Sequence, residues 1–503
     1  MINLSKKTLA LLLSCALAVS MTACSTETGT GLADSSSAGT GSGSILTADD
    51  LTITESLENT VGGEHVIEAD GTEETYSHIN VKKSGDSEGD EADFFGENAA
   101  VFAANGAALT LSDLLLESDG THANGIFSYG EGTTVNVSDS VIETSGNCSG
   151  GLMTTGGGTM NASNLNIHTT GNSSAAIRSD RGGGTVKVNG GKYVTDGTGS
   201  LVIYSTADIT VNDAIMESTA SQGVVVEGKN SVTLNNADLT ANNNTKNSDK
   251  SDFYQAVMIY QSMSGDASEG QGSFTMNGGT LTNQNGDIFF VNNTTARIDL
   301  TDASIINNDS NGVFLRAAAA GWGSEGSNGG QVTLNATSQK INGNILVYAD
   351  SNLNLSLKNT SSLTGAVNPD GQEGGVYVEL DDNSTWTLTG DSYITGLTCD
   401  KDAVNLNGYK LYINGVEYEE NTDSSGESID LTAVSGSEQN PNADGQQPPA
   451  MPDGDSVSGQ QPPAKPDSSS NSGQQPPAKP DGDSDSGQQP PSEPGGSEST
   501  DNA

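Results

Sequence analysis

The sequence predicts an all-β solenoid of about eleven coils, each built from three short strands. The basis is a ten-residue box in which apolar and polar residues alternate on either side of a small polar corner. Six of the ten gaps between successive copies are 23 to 26 residues long, a spacing typical of stacked repeats. The period of two within each box indicates strands. Clear copies occupy residues 109–118, 135–144, 160–169, 186–195, 209–218, 232–241, 274–283, 298–307 and 386–395, and looser copies begin at Val332 and Leu353.

A second apolar run lies between consecutive boxes, as at residues 223–228 (GVVVEG), and its last copy begins at Gly375. With the two runs of the box it gives three strands per coil and leaves no room for a helix. Stacked coils place equivalent strands about 4.8 Å apart. We therefore expect Val188, Val211 and Leu234 to form one inward column. The recurrent Asn, Ser and Thr residues of the box corner are expected to form a hydrogen-bonded ladder.

This coil length and pattern resemble the right-handed parallel β-helix of the pectin-lyase-like superfamily over residues 51–418. The resemblance rests on the coils and not on a catalytic motif. It implies a fold used by surface and adhesin-type proteins and also by polysaccharide lyases and hydrolases. A β-propeller or β-sandwich is the alternative, but propeller repeats are longer, about 40–50 residues.

The N-terminal segment carries targeting signals. Residues 1–23 have two lysines before a short apolar run, which is typical of a signal peptide. The run ends in Met-Thr-Ala directly before Cys24, and this resembles the signal of bacterial lipoproteins, with Met21 replacing the usual Leu. The resemblance implies cleavage before Cys24 and lipidation of its thiol; an ordinary secretory leader is the alternative. Residues 24–44 are rich in Ser, Thr and Gly and are predicted to form a flexible tether.

The rest of the chain is predicted to divide into four parts. They are an N-terminal cap and initial coil (45–98), the β-helix (99–400), a C-terminal cap with a hairpin at Asn414-Gly415 (401–418) and a tail (419–503). Thirteen of the fourteen prolines lie in the tail, where GQQPP occurs four times. Because proline cannot donate to a sheet, we predict a disordered acidic tail. The acidic residues 84–98 are interpreted as a solvated loop, with a cation site as the alternative.

Charge and cysteine content limit the partners. The net charge of −46 excludes nucleic acid, because a phosphate-binding surface needs clustered Lys and Arg. We interpret this charge as a solubility feature of a surface protein that acts as a monomer. No cofactor is predicted, and Ca²⁺ binding by acidic loops is the alternative. Cys148 and Cys399 are expected nine coils apart, too far for a disulfide bond.

Enzymes of the β-helix superfamily use an Arg or Lys base with Ca²⁺, or clustered Asp residues. The best local cluster here is formed by Arg178 and Asp180, which we interpret as a surface ion pair. No catalytic residue is assigned. The four histidines do not pair at the spacing of metal ligands, and no metal ligand is assigned. They are His65, His78, His122 and His168.

Three insertions predict the binding face. Residues 178–184, 261–272 and 317–330 all lie between a mid-coil run and the next box, so they should project from one side of the solenoid. Trp322 lies in the last of them, Tyr260 directly precedes the second, and Tyr254 ends a further insertion, residues 241–255, which follows a box. Exposed aromatic rings suit stacking on sugars or contact with an apolar partner; the alternative is that Trp322 plugs its own loop. The candidate binding residues are Trp322, Tyr254, Tyr260 and Asp180.

These features predict a lipoprotein on the extracellular face of the bacterial cell membrane. It would act as a non-enzymatic adhesin or a glycan- or protein-binding rod, with the membrane and a glycan or host surface protein as partners. The alternative is an envelope-tethered polysaccharide lyase or glycoside hydrolase, which a groove lined with charged residues on adjacent coils would favour. A structural spacer without a binding patch is a third hypothesis.

Replacing Cys24 tests the targeting prediction. Cys24→Ala removes the thiol that would carry the lipid, so we expect release from the membrane fraction or blocked processing of the leader. Mass spectrometry of the wild-type protein should find an acylated N-terminal Cys24. A mature N-terminus at any other residue contradicts the prediction.

Overall fold

The computed structural model describes residues 45–246 and 248–431. There, parallel strands stack in register from coil to coil and form a parallel β-helix, as the repeat predicts. The strands belong to sheets of 20, 11, 4 and 3 strands. The predicted signal peptide, the predicted lipidation site at Cys24, the predicted tether and residues 432–503 lie outside the described residues.

Nearly all elements of the described chain are short strands. The first half contains η1 (Ala48–Asp50), β1 (Glu55–Asn59), β2 (Ile67–Asp70), β3 (Glu73–Lys83), α1 (Asp90–Phe94), β4 (Val101–Ala104), β5 (Ala108–Ser118), β6 (Ile126–Tyr129), β7 (Thr134–Thr144), β8 (Leu152–Thr155), β9 (Gly158–Thr169), β10 (Ile177–Ser179), β11 (Gly184–Asn189), β12 (Lys192–Thr195), β13 (Ile203–Ser205), β14 (Asp208–Asn212), β15 (Ile215–Ser218), β16 (Val224–Glu227), β17 (Ser231–Asn235) and β18 (Asp238–Ala241). The second half contains β19 (Gln255–Tyr260), β20 (Gln271–Asn277), β21 (Thr280–Asn283), β22 (Asp287–Asn292), β23 (Thr294–Thr301), β24 (Ser304–Asn307), β25 (Leu315–Ala317), β26 (Gly330–Thr337), β27 (Lys340–Asn342), β28 (Ile345–Val347), β29 (Asn352–Lys358), β30 (Ser362–Thr364), β31 (Gly375–Leu380), β32 (Thr385–Thr387), β33 (Ser392–Ile394), β34 (Gly396–Cys399), β35 (Val404–Asn405), β36 (Leu411–Ile413), β37 (Val416–Glu417) and β38 (Ser424–Ser425).

Each coil has three strand positions, which we call the first box strand, the second box strand and the mid-coil strand. In the early coils the two box strands form one long strand that bends at a residue with positive φ. These residues are Asp113 in β5, Asp139 in β7 and Asn164 in β9, with φ of 49°, 47° and 51°. Asp and Asn tolerate this conformation better than most residues. The small polar corner of the box is therefore the bend, and the predicted three-strand coil is confirmed.

The core is a set of apolar columns inside the coils. Val188 pairs with Val211, and Val211 pairs with Leu234, as the sequence predicts. All three side chains are fully buried. Trp386 is also buried, as its place in a box predicts, and its indole N–H donates to the carbonyl of Gly365 at 2.9 Å.

A ladder of asparagine side chains follows the box corner, as predicted. The amide of Asn212 donates to the side-chain oxygen of Asn189 at 2.8 Å, and Asn235 donates to Asn212 at 2.8 Å. Asn277 continues the ladder to Asn235 at 2.9 Å, although 42 residues separate the two. The inserted loop between them therefore leaves the stacking of the coils intact.

A second corner connects the second box strand to the mid-coil strand, and we call it the glycine corner. Its members on four successive coils are Gly120, Gly146, Gly171 and Gly197. A Cβ atom at Gly146 would lie 1.9 Å from the carbonyl oxygen of Gly120, and Gly171 and Gly197 meet the preceding coil at the same distance. Only glycine fits so close an approach of two backbones. The residue two positions later has positive φ on each of these coils.

In the last coils the sequence prediction places two apolar runs at the wrong strand positions. The run at Gly375 is not a mid-coil strand, because β31 pairs with the first box strand β29. The box at Trp386 is shifted as well: β32 pairs with the second box strand β30. The mid-coil place is filled earlier, by Val367, which makes a single bridge to Ile345. Pro369 lies two residues after Val367 and has no N–H with which to extend that pairing, and the next run pairs at the box position.

The two ends of the solenoid also differ from expectation. Residues 84–98 are not only a solvated loop, because they contain the helix α1, whose Ala92 is buried. The predicted hairpin at the C-terminal cap is present, with β36 antiparallel to β37. Residues 419–431 do not belong to a free tail: β38 pairs antiparallel with β34, and the backbone of Ile429 exchanges two hydrogen bonds with the Asn354 side chain.

The Val211→Asp substitution tests the core column. It places a carboxylate between two buried apolar neighbours, at a cost of several kcal/mol, so we expect a large fall in the thermal unfolding midpoint. Thr210→Asp is the matched control, because Thr210 is only partly buried and its neighbour in register is Lys187. Equal midpoints for the two variants would contradict the coil assignment.

Candidate functional site

The inserted loops lie together on the outer face of the mid-coil sheet. The guanidinium of Arg181 donates to Asp266 at 2.9 Å and so joins the first loop to the second. Asn293 donates to the carbonyl of Gln261 through its side chain and to that of Asn328 through its backbone, both at 2.9 Å. It thereby joins the second loop to the third. The predicted common face is confirmed.

Beneath these loops lies a second apolar cluster, separate from the core of the coils. Three of its four buried members, Val225, Met258 and Phe290, follow one another in register on β16, β19 and β22, and the fourth is Ala318. The mid-coil strands are thus buried on both faces, with the coil core inside and the loops outside. Partly buried side chains complete the cluster, namely Leu201, Tyr204, Phe253, Tyr260, Ala320, Trp322 and Tyr348.

An open cleft, which we call the aromatic cleft, lies at the edge of this cluster. Three of the four predicted binding residues line it: Trp322, Tyr254 and Tyr260. Apolar surface alternates with amides, hydroxyls and one lysine. The other lining residues are Gly199, Leu201, Tyr204, Gln222, Val225, Asn243, Thr245, Lys246, Ser248, Ser251, Phe253, Gln255 and Met258.

Trp322 is half-buried and is held from two sides. Its ring meets that of Tyr260 edge to face, with the ring centres 5.2 Å apart. The amide of Asn328 donates to the Trp322 carbonyl at 2.7 Å, and the Lys250 ammonium lies 5.8 Å from the indole ring. The side chain therefore neither plugs its loop completely nor stands free in solvent. It forms one wall of the cleft.

Glu227 anchors the floor of the cleft and was not identified from the sequence. It is fully buried, and the hydroxyls of Tyr204 and Tyr260 donate to one of its oxygens while Ser262 donates to the other. Burial raises the pKa of Glu227, and the three donors oppose that rise. Burial and the nearby carboxylate raise the pKa values of both tyrosines, which remain hydroxyl donors. This network fixes the ring of Tyr260 against Trp322.

The fourth predicted residue, Asp180, does not reach the surface of the cleft. It is buried, and its carboxylate accepts two N–H bonds from Arg178 at 3.1 and 2.7 Å. Arg178 also donates to Asp93 of α1 at 3.1 Å. Burial alone would lower the pKa of Arg178, but the carboxylates of Asp180 and Asp93 raise it. The expectation of a surface ion pair is wrong because α1 covers this part of the sheet.

A second, polar groove follows the second box strands on another face of the coils. Four side chains line it in register on successive strands: Lys82, Glu117, Glu143 and His168. Lys82 contacts Glu117 at 2.7 Å. His168 contacts Asp196 at 2.7 Å and is about half exposed. The groove can therefore offer carboxylates, a lysine and a histidine to a polar ligand.

Stacking also brings together potential metal donors that are far apart in sequence. Within the described residues, donor atoms of Asp93, His122 and Cys148 lie within 4.8 Å of one another. The histidines do not pair with each other, in line with the sequence. Cys148 of the next coil, and not a second histidine, lies near His122, and the sequence analysis did not consider this grouping. The cysteines Cys148 and Cys399 are both free.

Comparison of the chain with protein-family models, curated proteins and solved structures finds no match. Among residues 45–246 and 248–431, none of the helices is both long and apolar enough to cross a membrane. The assignment of a function therefore depends on the chemistry of the sites.

The Glu227 network can be tested by its effect on stability. Glu227→Ala leaves three hydroxyl donors without their acceptor, and an unpaired buried group costs about 1–3 kcal/mol. We expect a clear fall in the thermal unfolding midpoint. Tyr260→Phe is the matched comparison, since it removes one donor and keeps the ring, and it should cost much less. A smaller effect for Glu227→Ala than for Tyr260→Phe would show that Glu227 does not hold the floor of the cleft.

Proposed function

We propose that this protein is a lipid-anchored surface protein of the bacterial envelope that binds a glycan in its aromatic cleft. The observation that carries the proposal is the pair of packed rings, Trp322 and Tyr260, in a wall that also presents amides. An aromatic ring supplies a flat apolar face, and neighbouring amides can donate to and accept from hydroxyl groups. Sugars need both, because each ring has an apolar face and a polar rim.

The distribution of polar groups further supports a glycan. Gln222, Asn243 and Gln255 line the cleft and carry uncharged amides, whereas carboxylates are frequent elsewhere on this chain of net charge −46. Ligand sites commonly combine apolar walls with a few polar groups that orient the ligand. The resemblance of the coils to the pectin-lyase-like superfamily agrees with a polysaccharide ligand, and the lipoprotein-like leader agrees with an envelope location.

Binding by wild-type and variant proteins on a glycan array tests this function. Trp322→Ala removes one wall of the cleft, and truncating such an anchor typically weakens binding roughly tenfold or more. Tyr409→Ala is the matched control, because Tyr409 is 42% exposed and lies in the C-terminal cap. Circular dichroism should show that both variants fold. If a glycan binds and Trp322→Ala retains its affinity, the aromatic cleft is not the site.

The polar groove supports a second candidate function, cleavage of an envelope or host polysaccharide. Its carboxylates, lysine and histidine lie on adjacent coils, and a groove of charged residues on adjacent coils is the feature that would favour an enzyme. Depolymerisation of acidic and neutral polysaccharides should be measured for wild-type protein, Glu143→Gln and His168→Ala. Activity that both substitutions abolish would favour the enzyme, and activity that neither affects would exclude this groove.

A further inference from the structure

The glycine corner holds two potential metal ligands at equivalent places on successive coils. His122 follows Gly120 by two residues, and Cys148 follows Gly146 by two residues; their φ values are 57° and 55°. The N–H of His122 donates to Asn147 at 2.9 Å, so this corner stacks directly on that of the next coil. Both side chains therefore leave the backbone in the same conformation, about one strand spacing apart. On the next coil the same place is taken by Ser173.

The helix α1 adds a third ligand from a distant part of the chain. One oxygen of Asp93 lies 3.7 Å from Nδ1 of His122 and 3.1 Å from Arg178. The helix is fixed at its C-terminal end, where the Phe94 carbonyl accepts from the Thr155 hydroxyl at 2.9 Å and the Arg181 guanidinium lies 3.6 Å from the Phe94 ring centre. The position of Asp93 is thus determined by contacts that do not involve the other two donors.

We propose that Asp93, His122 and Cys148 bind one Zn²⁺ ion, with a water molecule or a further donor in the fourth position. Their donor atoms lie within 4.8 Å of one another. Tetrahedral zinc holds its ligand atoms roughly 3.3–3.8 Å apart, given bonds of about 2.0–2.3 Å. Small side-chain rotations would bring the three donor atoms from their present separations to those of a tetrahedral zinc site. Nδ1 of His122 is buried and makes no hydrogen bond, and Asp93 approaches it only to ion-pair distance.

The chemistry of the three donors selects the class of metal. Thiolate and imidazole suit zinc and related transition metals, whereas Ca²⁺ takes only oxygen ligands. The acidic segment around α1 is therefore better suited to zinc than to the calcium considered from its sequence. Coordination requires the Cys148 thiol to release its proton, so binding should strengthen as pH rises.

The charge of Arg178 does not oppose this site. Two of its N–H groups are directed at the buried carboxylate of Asp180, which neutralises the guanidinium. The carboxylate of Asp93 and a Cys148 thiolate then balance the two charges of the ion. A third N–H of Arg178 donates to Asp93 and orients it, as outer groups commonly orient metal ligands.

The same three residues could instead be taken for a nucleophile with a base and an acid. A reactive cysteine needs a lowered thiol pKa. Here burial and Asp93 raise the pKa of Cys148. The rate of alkylation distinguishes a bound ion from a catalytic thiol.

The test uses the full chain carrying Cys15→Ser and Cys24→Ser, so that Cys148 and Cys399 are the only thiols. After removal of metals with a chelator, calorimetry with Zn²⁺ should give one ion per chain, and Co²⁺ should give a thiolate charge-transfer band. Ca²⁺ should not compete. Zinc should also raise the thermal unfolding midpoint and slow the alkylation of Cys148 by iodoacetamide.

Two substitutions should weaken zinc binding roughly tenfold or more and remove the cobalt band or shift it. Cys148→Ser should fold, because Ser173 occupies the equivalent place on the next coil, and His122→Asn keeps a residue that tolerates positive φ. Cys399→Ser and His78→Asn are the controls and should bind as the parent does; His78, like His122, has positive φ. Failure of the parent to bind zinc, equal binding by all variants, or rapid alkylation that zinc does not slow would overturn the proposal.

Discussion

Hydrogen bonding between consecutive coils is the interaction on which the rest of this structure depends. Each strand must lie beside its equivalent at every position, so the corners must also stack closely. At the glycine corner the carbonyl of one coil occupies the space that a side chain of the next would need, as at Gly146 above Gly120. Outside the corners, each coil contributes only a few inward side chains. This explains a chain with 63 glycines and only 33% hydrophobic residues that nevertheless has a continuous core.

The sequence predicts the regular part of this fold because each strand repeats the same local pattern. The column through Val211 and the ladder through Asn212 follow from the spacing of the boxes alone. The strand positions in the last coils could not be derived in this way. There the mid-coil position is occupied by Val367 through a single bridge, so the sequence shows no apolar run at that position. The helix α1 was missed because five residues carry no helical period, and packing against Arg181 and Thr155 holds it in place.

The residues of the candidate sites also divide into those that the sequence could identify and those that it could not. Trp322 and Tyr260 could be grouped from the sequence because insertions at one coil position share a face, whereas Tyr254 ends an insertion at another position and was chosen only as a loop aromatic. Glu227 could not, although one signal was present: the mid-coil runs are continuously apolar, a pattern typical of strands buried on both faces. A charged residue ending such a run should have indicated a buried carboxylate with partners. Asp93 was beyond sequence reasoning, because its neighbours come from coils 29 and 55 residues farther along the chain.

The antiparallel strands at the C-terminal end have a consequence for self-association. A stack of parallel strands can in principle continue into another molecule, because its last strand presents unpaired backbone groups. Here β38 lies antiparallel on β34, and β37 lies antiparallel on β36. Both strands use backbone donors and acceptors with which a further coil would pair. A strand of another molecule that continued the parallel stack would therefore lie beside a strand that runs in the opposite direction. The chain itself therefore hinders continuation of these two sheets by a further parallel coil.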